Sequence, residues 1–395
     1  MYYEFPVINT LDDVREAIAG SPEFVIAERD WGYVVNYLVV SQDTFPPVKT
    51  TGGSAAMREQ ASLHKAIRRE CRGLIFYPDG RLMSRRFHKF FNIGERDDTR
   101  EIDVSRPHTI LLKLDGSMIT PIFIDDGVRW GTKMGLTDVA VQAEVFTSTR
   151  PQYEEFARHC REGDMTPIFE WVSRKQRIVI DYPQDNLILT ALRFNTSGLY
   201  VKFHDMKLLA GMYNIQVVDV IDHDEDFCTT VANIRASSDI EGVVVRFDDG
   251  HMVKLKADTY VSLHRAKSLL DNERDVVGLI LDQKVDDLLP LLPDQDRTRL
   301  LEFAAAVFRD MEGARAEIGA LLDRAERLNM SRKNFAFDTA NINPALRSMA
   351  FLSWDSKRAD ADIVAGYVRS HLSSSSQFEK ARNILRTARW KESCE

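Results

Sequence analysis

No apolar run in this chain approaches the roughly 20 residues needed to cross a bilayer. Its first residues, Met1-Tyr-Tyr-Glu-Phe-Pro, lack the basic-then-apolar pattern of a secretory leader. A cytoplasmic location is the expectation. Cysteine is scarce: four in 395 residues, at 71, 160, 228 and 394. There is no CxxC and no histidine at metal spacing, so neither a disulfide framework nor a zinc site is indicated. Positive charge is not in excess either. With 52 Lys+Arg against 60 Asp+Glu the formal charge is −8, which argues against nucleic-acid binding by bulk charge alone but leaves room for a local groove. No GxxxxGK[ST] segment occurs, so a P-loop NTPase would lack its phosphate cradle. No internal repeat is visible.

What is present is an ordinary globular composition, 44% hydrophobic and 28% charged, at a length that suggests two or three domains. The first 265 residues read as mixed strand and helix. Asp79-Gly80, Asp126-Gly127 and Asp249-Gly250 separate apolar or alternating runs, and Asp-Gly favours hairpin turns. The expected hairpins are 74–77 with 82–87, 119–124 with 128–132, and 243–247 with 252–255. Further strands are expected at 109–114, 178–180 and 187–192, and a helix over 139–161. The pattern is α+β with much antiparallel sheet rather than regular βαβ alternation. Beyond about residue 267 apolar residues recur at helical spacing over 288–292, 300–308, 318–328 and 363–371. A serine break at 373–376 precedes a basic tail, 378–391, read as helical.

Chemistry concentrates in three segments. The first is Lys113-Leu114-Asp115-Gly116-Ser117, after an apolar run. A lysine at the end of a buried strand lies against a low-dielectric wall that disfavours its charged form, one route to a nucleophilic amine. A capped hairpin turn is the alternative. In the second, Glu241-Gly242 leads into a hydrophobic strand, a turn and Lys254-Leu255-Lys256. Residues two apart share a strand face, so the two lysines point together, either toward a phosphate or as the blunted edge of a sheet. The third is Phe169-Glu170-Trp171, an acid between aromatics, suited to a ribose hydroxyl or a metal, or else exposed on an alternating strand. A locally basic stretch (Arg58, Lys65, Arg68, Arg69, Arg72, Arg81, Arg85, Arg86, Lys89, Arg96, Arg100) is either a solvated face or a groove.

In order, these segments resemble the motifs of the covalent nucleotidyltransferases: DNA ligases, RNA ligases and mRNA capping enzymes. Glu70-Cys71-Arg72-Gly73 with His88-Lys89-Phe90-Phe91-Asn92, and Lys254 through Tyr260 to His264, resemble more narrowly the phage RNA ligase 1 family, whose T-even member repairs tRNA. The resemblance implies a nucleotidyltransferase domain of ATP-grasp-like antiparallel sheets and helices over 1–267. An all-helical domain over 268–395 would influence tRNA preference. It implies an ATP-dependent RNA ligase joining 5′-phosphate and 3′-OH ends, with AMP carried covalently on Lys113 and Mg²⁺ or Mn²⁺ required. The substrate would include tRNA nicked in the anticodon loop, and the enzyme would be a monomer in the cytoplasm of an infected cell.

Carried over by motif, Lys113 is the nucleophile, and Asp115 and Gly116 shape its turn. Glu170 holds the ribose; Glu241 contacts the nucleoside or a metal. Lys254 and Lys256 bind the α-phosphate, Arg72 and Lys89 the β- and γ-phosphates, and Phe91 lies near the base. Tyr37, Lys133 and Tyr260 match family positions, and Asp286 with Asp287 match an acidic pair that would contact metal. RNA would lie across the strip from Arg68 to Arg100 and against the tail (Lys380, Arg382, Arg386, Arg389, Lys391). The departures are Leu114, where the T-even enzyme has an acid, Met134, which is added in the Lys133 segment, and the insertion 50–63, read as a surface loop near the triphosphate. The rivals are a DNA ligase or capping guanylyltransferase, which usually append a β-barrel where this chain reads helical, and a non-catalytic RNA-binding protein.

Overall fold

The computed structural model describes residues 4–38, 44–49, 54–96, 99–175, 178–222, 226–355 and 361–390. The chain forms two compact units, Met1–Val261 and Ser262–Glu395. The expected division after residue 267 lies in the same helix as this boundary.

The first unit is α+β. Its described strands form three four-stranded sheets. The first sheet is β1 (Phe24–Arg29), β2 (Gly32–Tyr37), β3 (Leu74–Phe76) and β4 (Leu82–Ser84), in that order. The others draw on β5 (Phe91–Asn92), β6 (His108–Leu112), β7 (Ser117–Ile124), β8 (Gly127–Gly131), β9 (Met165–Val172), β10 (Asn186–Phe194), β11 (Gly242–Phe247) and β12 (Met252–Lys256). Their orders are β10-β9-β7-β8 and β5-β12-β11-β6; among these pairings only β5 with β12 is parallel.

The expected hairpins form, by differing turns. Gly80 and Gly250 take φ of +84° and +89° and each donates its N–H to the residue three back, at 2.9 Å. Between β7 and β8, Ile124 pairs with Gly127, so the turn is Asp125-Asp126 and Asp125 takes the positive φ of 51°. Asp is among the few non-glycine residues that tolerate this region.

Helices cover the sheets. α1 (Leu11–Ile18) and α2 (Ala55–Glu70) pack together, and α3 (Asp138–Ser148), α4 (Gln152–Glu162) and α5 (Phe203–Met212) cover the β7–β10 sheet; α6 (Phe227–Ala236) packs on β11 and β12. The helix expected over 139–161 is two, because Pro151 disfavours helical geometry at Arg150. Residues 178–180 are not a strand; two of their N–H groups serve another purpose below. The insertion 50–63 is not a loop where described: Ser54 caps α2 by accepting from the Met57 N–H at 3.3 Å. Residues 50–53 lie outside the described residues.

The second unit is helical in its described residues. It contains α7 (Asp258–Leu270) from Ser262 on, α8 (Glu273–Leu281), α9 (Val285–Leu288), α10 (Asp294–Arg327), α11 (Arg332–Asp338), α12 (Pro344–Leu352), α13 (Ala361–Ser370) and α14 (Ser375–Ala381). The segments 300–308 and 318–328 belong to one 34-residue helix. The tail is helical only to Ala381. After it Ile384, Leu385, Ala388 and Trp390 are buried, and Asp310 accepts from the N–H groups of Thr387 and Ala388. The basic tail is therefore part of the core of its own unit. Arg382 pairs with Glu273 and Arg386 with Glu317; Lys391 lies outside the described residues.

A buried ion cluster ties the first unit together. Glu70, at the end of α2, takes Arg85 at 3.1 Å and Arg193 at 2.7 Å, and both guanidiniums are fully buried. Arg85 also donates to the carbonyls of Pro6, Asn195 and Thr196, and Arg193 to that of Gly198. Burial would raise the Glu70 carboxyl, but the two guanidiniums outweigh it and hold the group down at about 2. Removing one member of such a cluster strands the others' charge. Glu70→Gln should therefore cost roughly 3–5 kcal/mol in chemical unfolding. The wild-type advantage should persist above the ordinary carboxylate range near pH 4.5 and fade as pH falls toward 2. A variant within 1 kcal/mol of wild type at pH 7 would contradict this role.

Candidate active site

β6 ends at Leu112, and the Lys113 N–H donates to the Gly242 carbonyl at 2.9 Å. That bond sets the base of the lysine beside the start of β11. The turn that follows is fastened from three places. Asp115 is buried; its Oδ2 accepts from the N–H groups of Val179 and Ile180 at 2.7 and 2.8 Å, and its Oδ1 from the Tyr260 hydroxyl at 2.6 Å. The Asp115 N–H donates to the Tyr182 hydroxyl at 2.8 Å. Gly116 must lack a side chain, since a Cβ there would sit 2.2 Å from the Trp171 carbonyl oxygen.

The lysine side chain meets a buried carboxylate. Lys113 Nζ lies 2.7 Å from Glu241 Oε2, and Lys256 Nζ lies 2.9 Å from Glu241 Oε1. Glu241 is only 4% exposed and sits behind the two amines. The sequence expectation of Lys113 against an apolar wall omitted this carboxylate. Lys254 is pushed down to about 8, by burial first and then by Lys89, Lys113, Arg72 and Lys256, and burial lowers Lys89 as well.

In front of these groups opens a cavity of about 570 Å³. Its floor follows the register of β11 and β12: Val244 faces Lys254, and Arg246 faces Met252. Strand alternation puts Val243, Val245 and Phe247 into the core instead. Lys113, Gly116, Glu170, Arg72, Lys89, Lys133 and Tyr37 also line it. Glu170 is half-buried on β9, beside Gly116; burial raises its carboxyl to about 7 against the opposing pull of Lys113. At the other cationic corner burial alone would raise the Tyr37 phenol. Arg72, Lys89 and Lys133, with a hydrogen bond from Arg72, outweigh that and lower it. Lys89 and Lys133 Nζ lie 5.5 and 5.3 Å from the Tyr37 ring centroid.

Several expected site residues are placed elsewhere. Phe91 is 2% exposed, packed with Phe45 in a core away from the cavity wall; its neighbours Phe87 and Phe90 line the cavity instead. Asp115 and Tyr260 act on the turn and are not on the wall. Met134 lines the wall, and its sulfur accepts from Asn36 Nδ2 at 2.9 Å. Asp286 and Asp287 are exposed on the short α9 of the second unit. No cluster of three or more potential ligands is placed to hold a metal ion among the described residues. Mg²⁺ commonly takes only one or two carboxylates and fills its remaining positions with substrate phosphates and water. Glu170, on the wall beside converging cations, fits that mode; Glu241, with both oxygens on lysines, does not as it stands.

The basic strip is a surface only in part: Arg58, Arg81 and Arg100 are exposed, whereas three of its arginines are buried. Arg85 and Arg86 are at most 1% exposed and Arg69 is 5% exposed. Arg86 donates to Thr120 Oγ1 and to the Gly73 and Gly131 carbonyls. Burial pushes its guanidinium down to about 9. Arg85 and Arg86 hold loops together, and Arg72 and Lys89 are the members of the strip on the cavity wall. The sequence reading also passed over Arg246, Thr190 and Tyr182. For Arg246 a signal existed, since it shares strand parity with Val244.

The cavity gathers the anchored lysine, the paired lysines of β12 and further cations around one space. Residues 70–260 match the RNA ligase family of the T4 RNA ligase 1 type. A Thermovibrio ammonificans protein provisionally named an RNA ligase is 27% identical over 277 residues, 66% of this chain and 71% of its own. RNA ligase 1 of bacteriophage TS2126 is 27% identical over 285 residues, 67% of this chain and 68% of its own. Among solved structures, a Naegleria gruberi RNA ligase mutant with AMP and Mn overlaps 40% of this chain and 52% of its own, at 17% identity and a TM-score of 0.34. The chain thus spans about half the length of that ligase. The family match over residues 70–260 and these relatives support placing that stretch with the RNA ligases of the phage RNA ligase 1 type.

The raised Glu170 carboxyl has a measurable consequence. Between the ordinary carboxylate range and about pH 7 the folded protein holds a proton that the unfolded chain has released, so stability falls as pH rises through that window. Thermal unfolding from pH 5 to 7.5 should show a steeper fall for wild type than for Glu170→Gln. Parallel curves would exclude the raised carboxyl.

Proposed function

We propose that this chain seals RNA ends through a lysyl-AMP formed at Lys113. The observation that carries the reading is the Lys113–Glu241–Lys256 arrangement at a cavity whose other cations, Arg72, Lys89, Lys133 and Lys254, converge on the same space. Lys113 Nζ attacks the α-phosphorus of ATP. A phosphoramidate P–N bond forms, the bond from the α-phosphorus to the bridging oxygen breaks, and pyrophosphate leaves. Glu241 Oε2, at 2.7 Å, is positioned to accept the proton that Nζ gives up. Lys254 and Lys256 hold the α-phosphate oxygens, and Arg72 and Lys89 take the leaving pyrophosphate. Such transfers rest on positioning and charge stabilisation. A bound Mg²⁺, with Glu170 as its protein ligand or as the partner of the ribose, supplies further neutralisation of phosphate charge.

In the second step an oxygen of an RNA 5′-phosphate attacks the AMP phosphorus, the P–N bond breaks, and a pyrophosphate linkage joins AMP to RNA. In the third the RNA 3′-OH attacks that 5′-phosphate, and AMP leaves as the phosphodiester forms. The substrate class we favour is single-stranded or loop RNA, including tRNA cut in its anticodon loop, with the helical second unit contributing to the choice. DNA ligation and RNA capping are disfavoured by the helical second unit.

With α-labelled ATP and magnesium, wild type should take up a label that is stable in alkali, lost in hot acid and sensitive to hydroxylamine at mildly acidic pH. Lys113→Ala should take up none. Lys254→Met should slow labelling by roughly 100-fold or more, the cost of losing one donor to developing charge. Retained label on Lys113→Ala would refute the nucleophile assignment. In sealing assays, 5′-phosphorylated RNA, including an anticodon-cleaved tRNA, should be joined in preference to nicked duplex DNA; the reverse order would overturn the substrate class.

A further inference from the structure

Arg246 is the cation of the cavity that stands apart from the rest. It lies on β11 two residues beyond Val244, opposite Met252, at the apolar end of the floor. The paired lysines occupy the other end of the same two strands. One two-residue repeat, roughly 7 Å, separates the Val244–Lys254 pair from the Arg246–Met252 pair. Arg246 is 5% exposed. Its NH2 donates to the Val201 carbonyl, while its NH1 is buried with no hydrogen-bond partner among the described residues. Buried donors are almost always satisfied, and a charged one left unmet is costly. Arg246 lines the cavity and carries a buried, unmet arm, so a modest turn of the side chain would bring that donor to an acceptor supplied by a ligand.

We infer that Arg246 reads the adenine base of ATP by donating from NH1 to a ring nitrogen. This deepens the reading of the cavity as an ATP site and rests on it. With the phosphates at the lysines, a nucleotide laid along the floor puts its base over Val244 and its far edge at Arg246. Adenine offers lone-pair ring nitrogens beside an amino donor, whereas guanine presents paired acceptors suited to a two-armed guanidinium clamp. Here one arm is already committed to Val201, so a single acceptor is what the remaining arm suits. Thr190, also on the wall, donates its hydroxyl to the Ile168 carbonyl at 2.8 Å, which leaves its oxygen lone pairs to accept from the exocyclic amine.

The test is competition against labelling by α-labelled ATP, using unlabelled ATP, 1-deaza-ATP, 3-deaza-ATP and 7-deaza-ATP. On wild type one of the three analogues should compete roughly tenfold more weakly than ATP, as expected for a lost bond to a charged donor. On Arg246→Met that difference should collapse to within about twofold, with ATP itself weakened. Arg246→Lys, which keeps the charge, should retain part of the discrimination. A merely structural arginine would leave the ratio between ATP and each analogue unchanged, and that result overturns the proposal. So would three analogues that compete like ATP on wild type. Absence of any label on wild type would instead sink the ligase reading, and this assignment with it.

Discussion

The two ion pairs of Glu241 are the constraint around which the site is arranged. A carboxylate 4% exposed cannot stand unpaired in a protein interior. It takes Lys113 on one oxygen and Lys256 on the other, drawing β6 and β12 to a common point on either side of β11. The two amines face the cavity with their backs to the same negative charge. Further cations can then approach, because the local sum of charge is lower than the lysine count suggests. Lys254, with no such partner shown, carries the cost as a depressed pKa.

The first unit solves a similar problem twice. Glu70 neutralises two buried guanidiniums, and in doing so fixes the end of α2, from which Arg72 reaches the cavity. Asp115 fixes the turn after the nucleophile by accepting from two backbone N–H groups and a tyrosine. Both are carboxylates spent on position. Lys113 and Arg72, which face the substrate space, are thus positioned by Glu241, Asp115 and Glu70, which do not themselves line it.

This division explains what could be read in the sequence. The hairpins were legible because Asp-Gly and alternation are local signals, and the lysines of β12 because strand parity is. The helical second unit was legible from its spacing, although the joining of two segments into α10 was not. The buried role of Arg69, Arg85 and Arg86 was hidden, since nothing local distinguishes a guanidinium that ties carbonyls from one that awaits phosphate. Only the tertiary path of the chain past Pro6, Gly73 and Asn195 makes that difference. Phe91 was misplaced by one residue for the same reason that β-strands alternate: of two adjacent aromatics only one can face the cavity. Residues 178–180 looked like a strand because they are apolar, whereas their use is to offer N–H groups to Asp115.

The floor of the cavity is a hairpin read in steps of two, and this limits how the gene can change. Inserting one residue into the Phe247–His251 turn, or deleting one, shifts the pairing of β11 with β12. A one-residue slip exchanges the two faces of a strand. Lys254 and Lys256 would turn into the apolar core, and Val253 and Leu255 would line the cavity. Length variation is therefore barred from the tip of this hairpin in odd increments, while α2, whose N-terminal half is exposed, can lengthen or shorten without disturbing that parity. Drift in length should accumulate at one end of the nucleotide site and be purged at the other.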